Sequence, residues 1–316
     1  MKRLMRCAAM AVLAVCLDPS AWGTSQKDPV DYVSPNIGGI GQLLTATVPY
    51  VQYPHGMARL APITTPGITD RYLADKIYGF PVGPAMLMAS VGLLSCSAEY
   101  YASDFDHDFE IATPYYYEAD LQSWGIKAEA APSQQAAYYR FTFPAGAHAH
   151  LALSMKKDSE LTVVGDTAVQ GSERITGLVA EVSGNPGETR EYFYAEFSKP
   201  FSVYRTWIGD ELMQKSKQSG NGIGFVTDTA AYDGEQIEVR LGISYISEEQ
   251  ARERLRAADK ARVAYVRRLY RVDPADPALY HLVIDSTAMP LEVVTELVLA
   301  AARAHAVMAE PVTARS

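Results

Sequence analysis

From Asp31 to Ser247 the chain alternates apolar and polar positions in short runs, broken every few residues by Gly, Pro, Asn or Asp. Alternation of period two puts successive side chains on opposite faces of a strand, and many short strands separated by turn residues predict a sandwich or barrel. The runs "YYYEADL" from Tyr115, "IKAEAAP" from Ile126, "AAYYRFTF" from Ala136 and "AHLALSM" from Ala149 follow one another across short turns and predict an antiparallel meander. "LTVVG", "ITGLVAEV", "EYFYAEF", "FSVYRTW", "GIGFVT" and "IEVRLGISYI" continue the pattern. So many strands pack better as two layers than as one open sheet. The fold class expected is mainly β, a large antiparallel β-sandwich of two packed sheets with a C-terminal helix-strand-helix tail.

The pattern changes within "GISYISEEQARERL". Ser247 and Gln250 have the S-x-x-Q spacing of a capping box, in which each side chain satisfies an orphan donor of a helix start. A helix is predicted from there to about Tyr270, with Leu255, Ala258, Tyr265, Val266 and Leu269 spaced as one apolar stripe. "RVDPADPAL" breaks it, "YHLVID" from Tyr280 predicts a short strand, and Pro290 opens a last helix to about Val307.

The N-terminus carries Lys2, Arg3 and Arg6, an apolar run from Cys7 to Leu17, and small residues around Trp22. This is the grammar of an export signal, and the run is too short for a membrane span. The expected organisation is a signal peptide at 1–23, a sandwich at 24–250 and an α-rich tail at 251–316, with a periplasmic or secreted location. Cleavage would leave Cys96 as the remaining cysteine, which excludes a disulfide framework within one mature chain. The net charge of -9 argues against nucleic acid, because phosphate binding needs clustered Lys and Arg.

Chemistry-bearing clusters are few. "DFDHDFE" gathers Asp104, Asp106, His107, Asp108 and Glu110. On a strand its acids would share one face opposite His107, either as a hard-oxygen site or as a solvated face or structural turn. His148 and His150 flank Ala149, a spacing open to a metal ligand pair or to ordinary surface histidines. Neither carries enough ligands to assign a metal. Asp70, Arg71, Tyr72 and Asp75 lie in a Gly- and Pro-bounded loop, where carboxylates could accept paired sugar hydroxyls and Tyr could stack on a ring. These four are the expected substrate-binding residues.

The region from about Lys27 to Ser247 resembles the N-terminal β-sandwich domain of glycoside hydrolase family 92, the calcium-dependent α-mannosidases. The resemblance rests on "DYVSPNIGG" at Asp31, "VPYVQYPHGMARLAP" at Val48, "YGF" at Tyr78, the long run from Phe105 to Pro144, "YFYAEFSKPF" at Tyr192 and "VRLGISYIS" at Val239. After "YGF" the family usually continues Ser-His-Thr-His, whereas this chain has Pro81-Val82-Gly83. The resemblance implies that loops of this domain help to wall a sugar pocket. It also implies that the catalytic carboxylates and most calcium ligands belong to a C-terminal helical toroid. Inverting hydrolysis needs an acid and a base roughly 6.5–9.5 Å apart. No residue of this chain is assigned either role, and activity as an enzyme is left open. Calcium is expected only for the complete family enzyme. The expected partners are a weakly bound mannose-containing glycan and a separately encoded catalytic domain.

The segment from about Arg254 to Ala304 resembles the C-terminal part of cytidylate-kinase-like proteins, most specifically in "DPALYHLVIDS". That resemblance implies phosphate contacts for Arg262, Arg267 and Arg268. No G-x-x-x-x-G-K-[ST] loop occurs, so the usual cradle for a triphosphate is missing. A nucleotide kinase fragment and a non-functional gene-fusion product are the alternatives to a mannosidase-type sandwich.

Overall fold

The computed structural model describes residues 29–39, 47–64, 74–96, 98–146, 148–175, 189–201, 203–231 and 234–270, with isolated helical positions at 293, 296, 297, 299 and 300. The proposed signal peptide, Asp70, Arg71, Tyr72 and the strand expected at Tyr280 lie outside the described residues.

Nineteen strands are formed among the described residues. The first ten are β1 (Val51–Gln52), β2 (Arg59–Leu60), β3 (Ile63–Thr64), β4 (Lys76–Val82), β5 (Ala85–Val91), β6 (Ser103–Asp104), β7 (Ile111–Thr113), β8 (Tyr116–Leu121), β9 (Ile126–Pro132) and β10 (Ala136–Thr142). The rest are β11 (His148–Met155), β12 (Ser159–Val164), β13 (Ala168–Arg174), β14 (Arg190–Phe197), β15 (Val203–Ile208), β16 (Glu211–Met213), β17 (Lys217–Gly220), β18 (Ile223–Ala230) and β19 (Gln236–Ser244). A short helix α1 (Ala98–Tyr101) and a long helix α2 (Glu248–Tyr270) complete the described elements used below.

The strands make two large antiparallel sheets, one ordered β17-β12-β13-β14-β19-β10-β9-β8-β7 and the other β16-β15-β18-β11-β5-β4-β3, with β6 paired to β4. The expected meander holds for β8, β9 and β10. It ends there, because the run "AHLALSM" crosses into the second sheet as β11, and β10 takes β19 as its next neighbour. Alternation cannot show such a crossing, since β10 and β11 bury the same parity of residues whichever sheet they join.

The two inner faces share one aromatic core. Phe80 of one sheet lies 6.0–6.2 Å, ring to ring, from Tyr117, Tyr139 and Phe141 of the other. Phe197, Phe201 and Phe225 form a second group at 5.2–6.0 Å. Such tilted and edge contacts add to the area term, and each fully buried ring contributes about 2–3 kcal/mol through that term alone. This packing is where the tyrosine-rich runs spend much of their aromatic surface.

Helix α2 lies on the outer face of the nine-stranded sheet. Its Ala251 and Leu255 are buried against Ala136, Ala168 and Tyr194, with Ala258 packed alongside. The approach is close because Gly242 has no side chain. A Cβ there would meet the carbonyl oxygen of Ala251 at 2.0 Å. Half of the expected capping box forms, with the Gln250 amide donating to Ser247 Oγ at 3.2 Å. The Gln250 side chain turns instead to Ser244, accepting from its Oγ at 2.7 Å, and so ties the helix start to the end of β19.

Leu255→Ala is expected to cost about 2–4 kcal/mol through the cavity it leaves. Gly242→Ala is expected to cost on the order of 2 kcal/mol or more, because backbone on both sides must move. Urea unfolding midpoints measure both, and a change of under about 0.5 kcal/mol for Leu255→Ala would contradict the packing of α2 on the sheet.

Candidate functional site

One end of the sandwich collects pieces from distant parts of the sequence. The hairpin joining β4 and β5 turns through Gly83 and Pro84, with Gly83 at φ 58°, a left-handed conformation that the first position of such a tight turn demands. Tyr139 of β10 donates its buried hydroxyl to the Pro81 carbonyl, so the tip is fastened to the opposite sheet. The segment from Tyr53 to Met57 folds back on itself, Gly56 N donating to Tyr53 O at 2.7 Å. It then joins the β9–β10 turn through Met57 N and Gln134 O at 2.6 Å. Arg254 of α2 closes the group from above. Its Nη1 donates to Ile243 O at 2.8 Å and touches the Met57 sulfur at 3.2 Å.

These contacts enclose a small cavity of about 120 Å³ lined by Met57–Leu60, Pro81, Gly83, Ala137, Glu191 and Ile243. Water occupies about 30 Å³ per molecule, so the space holds a few waters and is smaller than a sugar ring needs. Arg59, at its edge, places its guanidinium 3.9 Å from the centre of the Tyr50 ring.

Glu191 is the chemically distinctive group. It is half-buried, sits across from Glu173 in the β13–β14 register, and has no ion pair or hydrogen-bonded side-chain partner among the described residues. Burial first, and the charge of Glu173 second, push its carboxyl up to about 7. Glu173 itself accepts from Lys156 N at 3.0 Å and Ser159 Oγ at 3.2 Å. At neutral pH Glu191 is thus divided between its carboxylic acid and carboxylate forms, able to donate as well as accept. Within "TREYFYAEF" it reads as an ordinary strand residue. What buries it is the hairpin tip of the other sheet, which no local pattern reveals.

Asp75 is exposed at the start of β4, where its carbonyl accepts from Phe105 N at 3.2 Å. At about 3.3 Å per residue, the length of β4 separates it from the Gly83 tip by roughly 25 Å. The structure therefore does not bring Asp75 to Glu191. The "DFDHDFE" run is not a strand face. Asp104 belongs to β6, Asp106 caps a single turn of 3-10 helix at His107–Phe109 by accepting from Asp108 N at 2.9 Å, and Asp108 lies in that turn. His107 bridges Glu110 Oε2 at 3.0 Å and Ala74 O at 2.9 Å, so the cluster serves as a folded corner. His150 is buried between the carbonyls of Thr227 and Gly92, at 2.9 and 2.8 Å, whereas His148 is exposed beside Asp228. Cys96 is a free, partly buried thiol packed against the core. Arg262, Arg267 and Arg268 fall in α2. Among the described residues no group of three or more His, Cys, Asp or Glu could hold a metal ion.

Because a raised carboxyl pKa means that the folded chain keeps a proton the unfolded chain has lost, stability must fall as pH rises from the unfolded value near 4.5 through about 7. The full cost, on the order of 3 kcal/mol, is present above that window. Glu191→Gln is expected to flatten this part of the stability–pH curve, measured by urea unfolding between pH 4 and 9. An unchanged slope would place the titration elsewhere.

The comparisons with known proteins agree with this geometry. The glycosyl hydrolase family 92 N-terminal domain matches residues 32–244. A second match, to the cytidylate kinase-like family, covers residues 225–288. It begins inside β18 and runs through β19, both inner strands of the sandwich, before reaching α2. No curated protein matches the chain. Among solved structures, the family GH92 alpha-mannosidase BT3965 from Bacteroides thetaiotaomicron superposes with TM-score 0.63 at 23% identity, covering 73% of this chain and 35% of that one. The inverting mannosidase BT2199 from the same organism gives TM-score 0.65 at 24% identity, covering 73% and 34%. This chain therefore spans about a third of the length of those proteins. Matched across 32–244, in a fold of two antiparallel sheets that those structures share, the chain belongs to glycosyl hydrolase family 92 through that family's N-terminal domain.

Proposed function

We propose that this sandwich is the non-catalytic, pocket-supporting domain of an exported α-mannosidase-like glycoside hydrolase, and that the chain alone binds a mannose-containing glycan weakly without cleaving it. The observation that carries this reading is convergence. Three of the segments on which the family resemblance rests, at Val48–Pro62, Tyr78–Phe80 with its continuation, and Val239–Ser247, meet at one end of the sandwich around the Glu191 cavity. Such a wall offers backbone carbonyls, an arginine on an aromatic ring and one carboxyl in a partly apolar setting. In this reading Asp70, Arg71, Tyr72 and Asp75 bind hydroxyls further along the glycan, since Asp75 stands at the opposite end of β4 from the cavity.

Cleavage needs more than the wall supplies. An inverting pair comprises one carboxylic acid and one carboxylate across a gap wide enough for water. Glu173 and Glu191 are direct cross-strand neighbours, with side chains roughly 5 Å apart at their bases, too near to admit a sugar ring between them. The other close pair, Glu118 and Glu129, is bridged by one tyrosine hydroxyl and neutralised by Lys127 and Arg140. The apolar N-terminal run after Lys2, Arg3 and Arg6 supports export, and a separately encoded catalytic domain is the partner this reading calls for.

Titrating α-mannobiose into isotope-labelled chain is expected to perturb amides of residues 57–60, 82, 83, 85, 190 and 191. The affinity should be around millimolar, equivalent to about 4 kcal/mol. Asp70→Ala is expected to weaken it further. No mannose should be released, with or without added calcium. Turnover above a boiled control, or perturbations that leave the Glu191 end untouched, would overturn the proposal.

A further inference from the structure

The outer face of the nine-stranded sheet is only partly covered by α2. Among the described residues, β8, β9, β10 and β19 leave beyond Asp259 of that helix an open trough of about 310 Å³, within the range of small-molecule sites. Tyr116, Glu129, Tyr138, Arg140, Glu238 and Arg240 line it. A second depression of about 460 Å³ lies at the end of the same strands, with Lys127 and Thr142 in its lining. Residues 127, 129 and 131 of β9 and 138, 140 and 142 of β10 step by two and so share one face, so Lys127 and Thr142 lie on the face that carries the trough.

The trough holds its charges in fixed pairs. Arg140 clamps Glu129 with Nε at 2.7 Å and Nη2 at 2.5 Å, and Tyr116 places its hydroxyl 2.7 Å from Glu129 Oε1. Glu129 is 8% exposed, and the Arg140 guanidinium outweighs that burial and holds its carboxyl below the ordinary carboxylate range. Lys127 pairs with Glu118 at 2.6 Å, and Arg240 reaches Glu196 at 3.2 Å and Asp259 at 3.3 Å. Side chains fixed before a ligand arrives lose little rotamer freedom when it binds. Among the described residues Arg140 Nη1 has no acceptor, and the exposed carboxylate of Glu238, its direct cross-strand neighbour, has no donor.

A donor beside an acceptor, next to tyrosine rings, suits a ligand whose hydroxyls both give and take hydrogen bonds and whose C–H faces can lie on an aromatic ring. An anionic ligand would meet Glu238 and Glu118, and a cationic one Arg140, Arg240 and Lys127. A protein surface would want an apolar centre, which alanines 130 and 131 do not make. We propose that this trough is a second binding site, separate from the Glu191 end, for a neutral oligosaccharide lying along β9 and β10 and hydrogen-bonded by Arg140 and Glu238.

The test is a titration of the full isotope-labelled chain with mannopentaose, with maltopentaose and an anionic oligogalacturonate of similar length as comparisons. A neutral pentasaccharide is expected to perturb amides at 127–131, 138–142 and 236–240 at concentrations up to about 10 mM, the range of a single shallow site. Glu238→Ala is expected to weaken binding by about threefold to tenfold, as befits loss of one ligand hydrogen bond at an exposed carboxylate, whereas Glu238→Gln, which keeps an acceptor oxygen, retains most of it. Ala131→Trp, which fills the hollow, should abolish it while core amides of Phe141 and Phe193 stay in place. The proposal is overturned if neutral chains leave these residues unperturbed, if perturbation is confined to the Glu191 end, if Glu238→Ala binds like the parent, or if the anionic chain binds as tightly.

Discussion

The approach of α2 to the nine-stranded sheet at Gly242 governs most of what this domain presents to solvent. With the Ala251 carbonyl 2.0 Å from where a Cβ would stand, the helix is seated deep enough to bury Ala251 and Leu255 completely. That seat aims Arg254 at Ile243 and Met57, which pins the 53–60 segment to the end of the sandwich. One turn further along, it aims Asp259 at Tyr138 and Arg240. One missing side chain thus sets the position of both the cavity wall and the rim of the trough. A helix seated a few ångströms higher would lose the arginine contact first, because a hydrogen bond tolerates far less displacement than apolar packing.

Two glutamates show how differently this scaffold treats the same side chain. Glu129 is nearly covered, yet it is fixed as an anion, because Arg140 meets it with two parallel donors and Tyr116 adds another. Glu191 is covered by a glycine tip and an isoleucine, faces Glu173, and keeps its proton to about pH 7. The first arrangement costs little and makes a rigid polar surface. The second costs stability at neutral pH, and offers in return a group that can exchange roles between donor and acceptor. The sheet face and the sheet end are therefore different kinds of surface, built from the same residue type by the presence or absence of one cation.

Much of the architecture was legible from alternation. The strand runs and the switch to helix at Ser247 followed from periodicity and capping residues. The pairing was not, because β10 takes as its neighbour a strand about a hundred residues later, and nothing in either run encodes that choice. The crossing of "AHLALSM" into the second sheet escaped for the same reason. The polar face of β9 and β10 could be read as Lys127, Glu129, Tyr138 and Arg140, but the trough needs Glu238 and Arg240 from β19 and Asp259 from α2 to close it. "DFDHDFE" left a strand face and a structural turn open, and the turn is what forms, since a run of acids at alternate positions fits a strand only if no side chain caps a turn within it, and Asp106 does.

Volume decides which of the two surfaces can act alone. A cavity of about 120 Å³ at the sandwich end cannot enclose a sugar ring, so it gains a ligand's full contact only when something else supplies an opposite wall. A hollow of about 310 Å³ with its charges already paired needs no such partner. A domain that supports a pocket built elsewhere and also holds the substrate chain on its own face would raise the local concentration of glycan beside that pocket. Two weak sites joined through one substrate bind more tightly than either, provided the chain is long enough to span them. The β9 and β10 strands run from the trough toward the turn at Ser133 and Gln134, and Gln134 is the residue that anchors the Met57 segment of the cavity wall. A glycan following those strands is therefore led toward the Glu191 end and not away from it.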